Sequence, residues 1–302
     1  MSDWTPLAVV GLAAVAAFVV ACLERAFAGR SPSPLAVVRD GAAALAQPLR
    51  RPSAYDHTLF HLAPGLLVLA AIAALAMVPW APGFRGVDLQ TGGILFTAAL
   101  AYVTPAVFMA GWGAGRPLSV VGGFRFLGAM LWFAMPLAMV VTSVAAPAES
   151  LRPTDIVAVQ HAVPMVVVQP LAFVLWMPAT LAVCFLPPFD FPQARGELGG
   201  GAFAGYRGLD AALVRLAQRL LLVALAGMTV VLFFSGWQGP VLPPAVWMGL
   251  KTTVVVVALL WVGRRLPRIE IDRAVSWAWK FAIPGAILAI VWAGLVTLLF
   301  YR

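Results

Sequence analysis

In the stretch FLPPFDFPQARGEL, Phe185 to Leu198, the residues Asp190, Arg195 and Glu197 fall within eight positions of one another, beside Pro187, Pro188 and Pro192. Carboxylates and a guanidinium so grouped can hold a polar ligand or a partner chain, and prolines end a helix and stiffen the segment after it. Other candidate groups are scattered. His57 and His61 stand four residues apart, a permissible ligand spacing on a helix, but only Asp56 accompanies them. They are expected to be interfacial histidines without a metal, with His161 near the opposite face. Cys22 and Cys184 both sit in apolar runs and read as small buried residues rather than a disulfide or metal pair. There is no phosphate-binding glycine loop, no Gly-x-Ser-x-Gly and no catalytic carboxylate pair. No catalytic residue and no metal site is therefore expected in this chain alone.

The elements that must carry these groups follow from composition. Of the 302 residues 62% are hydrophobic and only 11% charged, against about 25% charged in a soluble domain. Such a surplus of apolar residues points to the bilayer as solvent. Apolar runs cover about Pro6–Leu23, Leu59–Trp80, Thr91–Trp112, Phe126–Ala146, Ala162–Leu186, Leu216–Phe234, Ala245–Val262 and Trp279–Phe300. Each is long enough, or nearly so, for a helix crossing ~30 Å of hydrocarbon. The first lacks a basic leading segment and reads as a retained helix rather than a cleaved signal. The expected fold is an all-α integral membrane protein: one polytopic domain, residues 1–302, with eight transmembrane helices.

Charge sets the expected orientation. Arg25, Arg30, Arg39, Arg50 and Arg51 follow the first span, and Arg116 and Arg125 lie between the third and fourth. Arg195, Arg207 and Arg215 follow the fifth, with Arg219 just inside the sixth. Arg264, Arg265, Arg268 and Arg273 lie between the seventh and eighth, with Lys280 at the start of the eighth. The even-numbered loops hold only Arg85 and Arg152. The odd loops are thus expected in the cytoplasm and both termini outside. The net charge of +8 is orientation charge, not a nucleic-acid signal. In SPLAVVRDGAAALAQPL, Leu35, Val38, Leu45 and Leu49 share one helical face, so an in-plane amphipathic helix is expected after the first span.

None of the twelve acidic residues lies in the middle of a span. Intramembrane carboxylates commonly mark proton relays, so this chain is not expected to carry a proton across the bilayer by itself. Lys251 is the one ionisable group well inside a span, roughly 10 Å from its outer end. It is either part of a polar path shared with a partner or a lysine whose stem snorkels to the interface.

The wording of several stretches is more specific. PFDFPQARGEL followed by GYRGLD resembles the signature of the H subunit (subunit 1) of the proton-translocating NADH–quinone oxidoreductase, respiratory complex I. Membrane-bound hydrogenases have related subunits. LERAFAGR, YDHTLFHLAP, QTGGILFTAAL, AGWGAGRPLSVVGGFR and LKTTVVVVALLWVGRRLPRIEIDRAVSWAWKFAIP resemble further segments of that family in the same order, so the likeness covers most of the chain. It implies odd loops that meet a peripheral redox arm and, with partner subunits, enclose a quinone chamber open to lipid. The resemblance assigns Arg25, Asp56, Asp190 and Glu197 to that chamber, and Arg264, Arg265, Arg268, Asp272 and Lys251 to a partner contact or polar path.

The departures from the family run in one direction. Ala134, Val183, Gln193, Arg195 and Gln218 stand where the family usually has a carboxylate. An Ala or Val cannot exchange a proton, so proton coupling is expected to be weakened or lost. The resemblance further implies quinone as substrate with no covalently bound cofactor, flavin and iron–sulfur clusters only in partner subunits, and a multi-pass location in the inner (plasma) membrane. Its implied partners are other membrane and peripheral subunits, quinone and lipid. A hydrogenase- or ferredoxin-linked membrane arm, or a non-catalytic scaffold for a peripheral module, are the rival readings.

Overall fold

The structure is a computed structural model that describes residues 5–47, 55–82, 86–194 and 196–300. Leu49, Arg50, Arg51, Arg85, Arg195 and Arg302 lie outside the described residues. Among the described residues thirteen α-helices run in the order α1 (Thr5–Phe27), α2 (Pro34–Leu45), α3 (His57–Ala76), α4 (Gly92–Ala101), α5 (Val103–Gly113), α6 (Pro117–Ala145), α7 (Pro153–Val159), α8 (Met165–Val168), α9 (Pro170–Val183), α10 (Gly208–Phe233), α11 (Pro244–Arg265), α12 (Ile271–Trp277) and α13 (Ile283–Phe300). No strand is present among the described residues. Among the described residues six helical stretches are long and apolar enough to cross a membrane: His57–Ala76, Gly92–Gly113, Pro117–Ala148, Gly208–Phe233, Pro244–Arg265 and Ile271–Leu299. They overlap the second, third, fourth, sixth, seventh and eighth apolar runs.

Several helices overshoot the runs that announced them. α6 begins at Pro117, nine residues ahead of its apolar run, and α10 begins at Gly208, eight ahead. Hydropathy detects the hydrocarbon-soluble part of a helix, whereas its end is set by local stops such as Pro at the first position. The fifth run departs most. Instead of one span over 162–186, the chain makes α7, a turn, the four-residue α8 and then α9, only 14 residues long. Two buried carboxamides hold the interruption. Gln160 Nε2 donates to Ile156 O and Val231 O at 3.0 and 2.8 Å, and its Oε1 accepts from Met165 N and Ser235 N at 3.2 and 3.0 Å. Gln169 Nε2 donates to Ser143 O at 3.1 Å, and Trp292 Nε1 to Val168 O at 2.9 Å. Side chains thereby satisfy backbone groups that the broken helix would leave bare in lipid.

α10 is the axis of the bundle. Of its most apolar window 83% is buried, against 28% for Ile271–Leu299, and it packs on α3, α11 and α1. α6 is the second organiser, against α5, α9 and α13. α2 is capped by Ser33, whose Oγ accepts from Ala36 N at 3.3 Å, with Pro34 at the first position. Ala36 and Ala44 are buried while Leu35, Val38 and Leu45 stay exposed, so α2 carries an apolar face that the other described residues do not cover.

The segments after α1, α5, α9 and α11 meet at one end of the bundle. Asp56 N donates to Gly113 O at 2.9 Å, and Ile269 N to Pro188 O at 3.2 Å. Arg264 donates to Phe27 O. This end holds most of the charged side chains named above.

Candidate functional site

The loop between α9 and α10 is not a solvated tether, although its prolines and charges suggest one. Phe185, Pro188, Phe189, Asp190, Phe191, Pro192, Ala194 and Leu198 are buried. The loop doubles back through a 3-10 turn at Gly201–Phe203 and lies across α6. Two glycines permit this approach. A Cβ at Gly201, whose φ is +52°, would stand 2.0 Å from Pro192 O, and one at Gly122 of α6 would stand 2.7 Å from both Ala202 N and Pro192 O. Ala202 N donates to Pro192 O at 2.8 Å, so the turn closes on the proline carbonyl that a side chain would displace.

The folded loop forms one wall of a cavity of about 410 Å³. Cys184, Phe185, Leu222 and Leu260 supply apolar lining; Asp190, Gln193, Gln218, Arg264 and Arg268 supply polar groups. Asp190 is only 7% exposed and pairs with Arg268 at 3.0 Å, which ties the segment after α11 to the loop. Arg264 stacks over Phe27, 5.6 Å from its centroid, and caps the end of α1 through Phe27 O. Glu24 of α1 reaches the same cavity and pairs with Arg219 of α10 at 3.0 Å. Chemically this is an apolar slot with a rim of fixed charges, a shape that suits an amphiphile with a small polar head.

Residues 6–294, nearly the whole chain, match the family model described as NADH dehydrogenase. The chain belongs to that NADH dehydrogenase family. An H subunit of NADH-quinone oxidoreductase from Syntrophobacter fumaroxidans, numbered 2 in that organism, is 31% identical over 300 residues, covering 93% of this chain and 90% of the relative. The H subunit numbered 2 in Geobacter sulfurreducens is 32% identical over 255 residues, covering 82% and 78%. The H subunit of the Geobacillus kaustophilus enzyme is 33% identical over 255 residues, covering 83% and 76%.

Of the residues singled out for this NADH dehydrogenase family member, Asp190, Arg264 and Arg268 come together at the cavity. Arg25 lines a neighbouring one, paired with Asp40 and donating to Ser31 O at 3.0 Å. Glu197 does not line either; it is exposed and pairs with Arg125 at 2.5 Å. Asp56 is the N-cap of α3, its Oδ1 accepting from Thr58 N and Leu59 N at 2.9 and 3.0 Å. Asp56→Ala is accordingly expected to lower stability by about 1 kcal/mol, read as a shift in thermal midpoint, with Asp56→Ser restoring most of it.

Lys251 lies at the opposite end, where its Nζ donates to Phe234 O, Gly236 O and Gln238 O at 2.8, 3.0 and 2.7 Å. It closes the C-terminus of α10, a favourable place for a cation. Arg265 sits over the Trp261 ring at 5.3 Å, and Asp272 is exposed in the first turn of α12. Of the positions where the resemblance puts acids, Gln193 and Gln218 line the 410 Å³ cavity, Ala134 is half-buried in α6, and Val183 is buried at the end of α9.

Sequence reasoning missed Glu24 and Arg219 as cavity residues and a second cluster altogether. Glu24 stands beside Arg25 in LERAFAGR, one of the segments that carry the family resemblance, and that was its signal. In the second cluster His61 Nδ1 lies 3.1 Å from Asp210 Oδ2, Phe60 stacks on Tyr206 at 4.2 Å, and Tyr206 Oη donates to Phe60 O at 2.8 Å. Burial, and next the Asp210 carboxylate, push the Tyr206 phenol above its usual range, so it remains a donor. The 149 residues between His61 and Asp210 hide this pair from any local pattern.

Proposed function

We propose that this chain is the H-type membrane subunit of a NADH–quinone oxidoreductase and forms part of its quinone chamber. The observation that carries the reading is the 410 Å³ cavity, in which apolar walls and the Asp190–Arg268 pair meet at the end of the bundle where the arginine-rich loops gather. Family membership and relatives named for that enzyme support it and do not favour the hydrogenase-linked alternative. A quinone's prenyl tail needs a greasy passage and its head a few fixed polar groups, and both are offered here. Asp190 would shape the chamber, Arg25 its membrane mouth, and Arg264 and Arg268 would organise the last loop against a peripheral partner. Glu197, Arg265 and Asp272, all exposed, would face that partner. Asp56 would secure the start of α3, and Lys251 the far end of α10.

In this reading eight helices span the inner membrane, the interrupted α7–α9 segment counting as the fifth, with the arginine-rich end in the cytoplasm. The electron carriers belong to partner subunits: the chain's two cysteines fall short of the four thiolates an iron–sulfur cluster usually takes. Proton coupling is weak, because Gln193 and Gln218 stand where the resemblance puts carboxylates, and Asp190 and Glu24, which do line the cavity, are held in ion pairs with Arg268 and Arg219.

The test is the purified assembly reconstituted in proteoliposomes, with NADH-driven quinone reduction and lumen acidification recorded together. Quinone reduction with little acidification per turnover is the expected result. Strong acidification would remove the coupling argument. An assembly that oxidises NADH but cannot pass electrons to quinone would remove the reading itself.

A further inference from the structure

At the end of the bundle away from the chamber, a cavity of about 750 Å³ lies between the start of α11, the turn before α8 and the segment after α10. Its lining is layered. His161, Gln238 and Trp247 stand close to the helix ends, and Leu250, Val254 and Val255 continue the wall along α11. At 1.5 Å per residue Val254 is about 15 Å in from the start of that helix. Leu250 and Val254 are 49% and 60% exposed, so the apolar part of the cavity stands open to whatever surrounds the bundle.

The polar groups differ in what they still lack. Gln160, Ser235 and Gln238 have side chains hydrogen-bonded to backbone carbonyls. The three carbonyls around Lys251 Nζ require three N–H bonds, so this lysine is an ammonium. Its stem turns back to the end of α10 and carries the charge from mid-helix to the surface of the bundle. The Trp247 ring lies 5.8 Å from it. Hydrogen bonding is thus complete, but the charge is unanswered: no carboxylate lines the cavity or pairs with Lys251 among the described residues. A cation partly withdrawn from water is costly without an anion near it. The exposed imidazole of His161, beside it in the lining, has no side-chain partner among the described residues.

We propose that this cavity seats an anionic phospholipid of the outer leaflet, its phosphate towards Lys251 and His161 and an acyl chain along Leu250, Val254 and Val255. The layers of the cavity follow those of the lipid, charge at the surface and hydrocarbon beneath. The volume lies within the range of ligand pockets. The carbonyl bonds that close α10 stay in place, because the phosphate answers the charge of Lys251 rather than a free N–H. An uncharged quinone head would leave the ammonium without a counter-charge, and a free inorganic anion would leave the apolar wall unfilled. The inference rests on the membrane orientation proposed above but not on any quinone chemistry.

The experiment equilibrates the purified, detergent-washed assembly with equal phosphatidylglycerol and phosphatidylcholine and counts the lipids retained per assembly by mass spectrometry, without NADH or added quinone. Val254→Trp fills the open apolar wall and is expected to remove one phosphatidylglycerol per assembly. His161→Glu sets a negative charge on an exposed turn and is expected to weaken retention of that phosphatidylglycerol about fivefold, roughly the worth of one interfacial charge. A phosphatidylglycerol count unchanged in either variant, or loss of phosphatidylcholine or quinone in its place, would overturn the proposal. Ready displacement by inorganic phosphate alone would mark a free-anion site and overturn it too. Should Val254→Trp not assemble, His161→Glu decides, because its side chain projects from an exposed turn. Quinone reductase activity is assayed separately, so loss of either reading leaves the other standing.

Discussion

Gly201→Val is expected to abolish accumulation of the assembled subunit. Gly201 sits at φ +52° with Pro192 O only 2.0 Å from where a Cβ would be built. The left-handed backbone and the forced separation of the turn together cost about 4 kcal/mol, a large part of the 5–15 kcal/mol that typically holds a protein folded. The measurement is the amount of assembled complex in membranes and its thermal midpoint after solubilisation. Gly199→Ala is the control: its φ is +59°, but a Cβ there meets nothing within 4 Å, so only the backbone term of about 1 kcal/mol remains. If Gly201→Val melts like the unsubstituted protein, the loop does not fold across α6 as described.

Asp190→Asn is expected to reduce NADH-driven quinone reduction roughly thirtyfold, the equivalent of one lost charge-assisted hydrogen bond of about 2 kcal/mol. The pair with Arg268 is the side-chain link between the loop and the segment after α11; without it both edges of the cavity loosen. Glu197→Gln is expected to change turnover less than about twofold, because an exposed ion pair is worth little and Glu197 is exposed. Turnover at saturating quinone separates the two. Similar losses in both variants would mean that Glu197 belongs to the chamber, and unchanged turnover in Asp190→Asn would mean that Asp190 does not.

The sequence made some parts of this architecture legible and concealed others for physical reasons. Apart from the fifth, each apolar run became helix along most of its length, because hydropathy reports solvent directly. The interruption was concealed because Gln169 alone barely lowers the mean of the 162–186 run, even with Pro164 and Pro170 in it, and Gln160 lies just ahead of that run. Asp56 was readable as a cap: an Asp immediately before a helical run is a start signal, yet the resemblance drew attention to the chamber instead. The buried state of Asp190 was not readable. Proline and charge normally mean solvent, and only the close approach of Gly122 and Gly201 to neighbouring backbone brings that loop inside. Arg219 was visible as a charge just inside the sixth apolar run, but its carboxylate partner Glu24 lies 195 residues away.

The interrupted fifth segment has a mechanical corollary. Gln160 alone fastens four backbone groups, drawn from its own segment and from the end of α10. Swinging the two halves about that point would sever several of these bonds together in a dry environment, where each unmade one is expensive. The bend is therefore a welded elbow rather than a gate, and any rearrangement that accompanies turnover has to travel through the ion-paired loops at the other end.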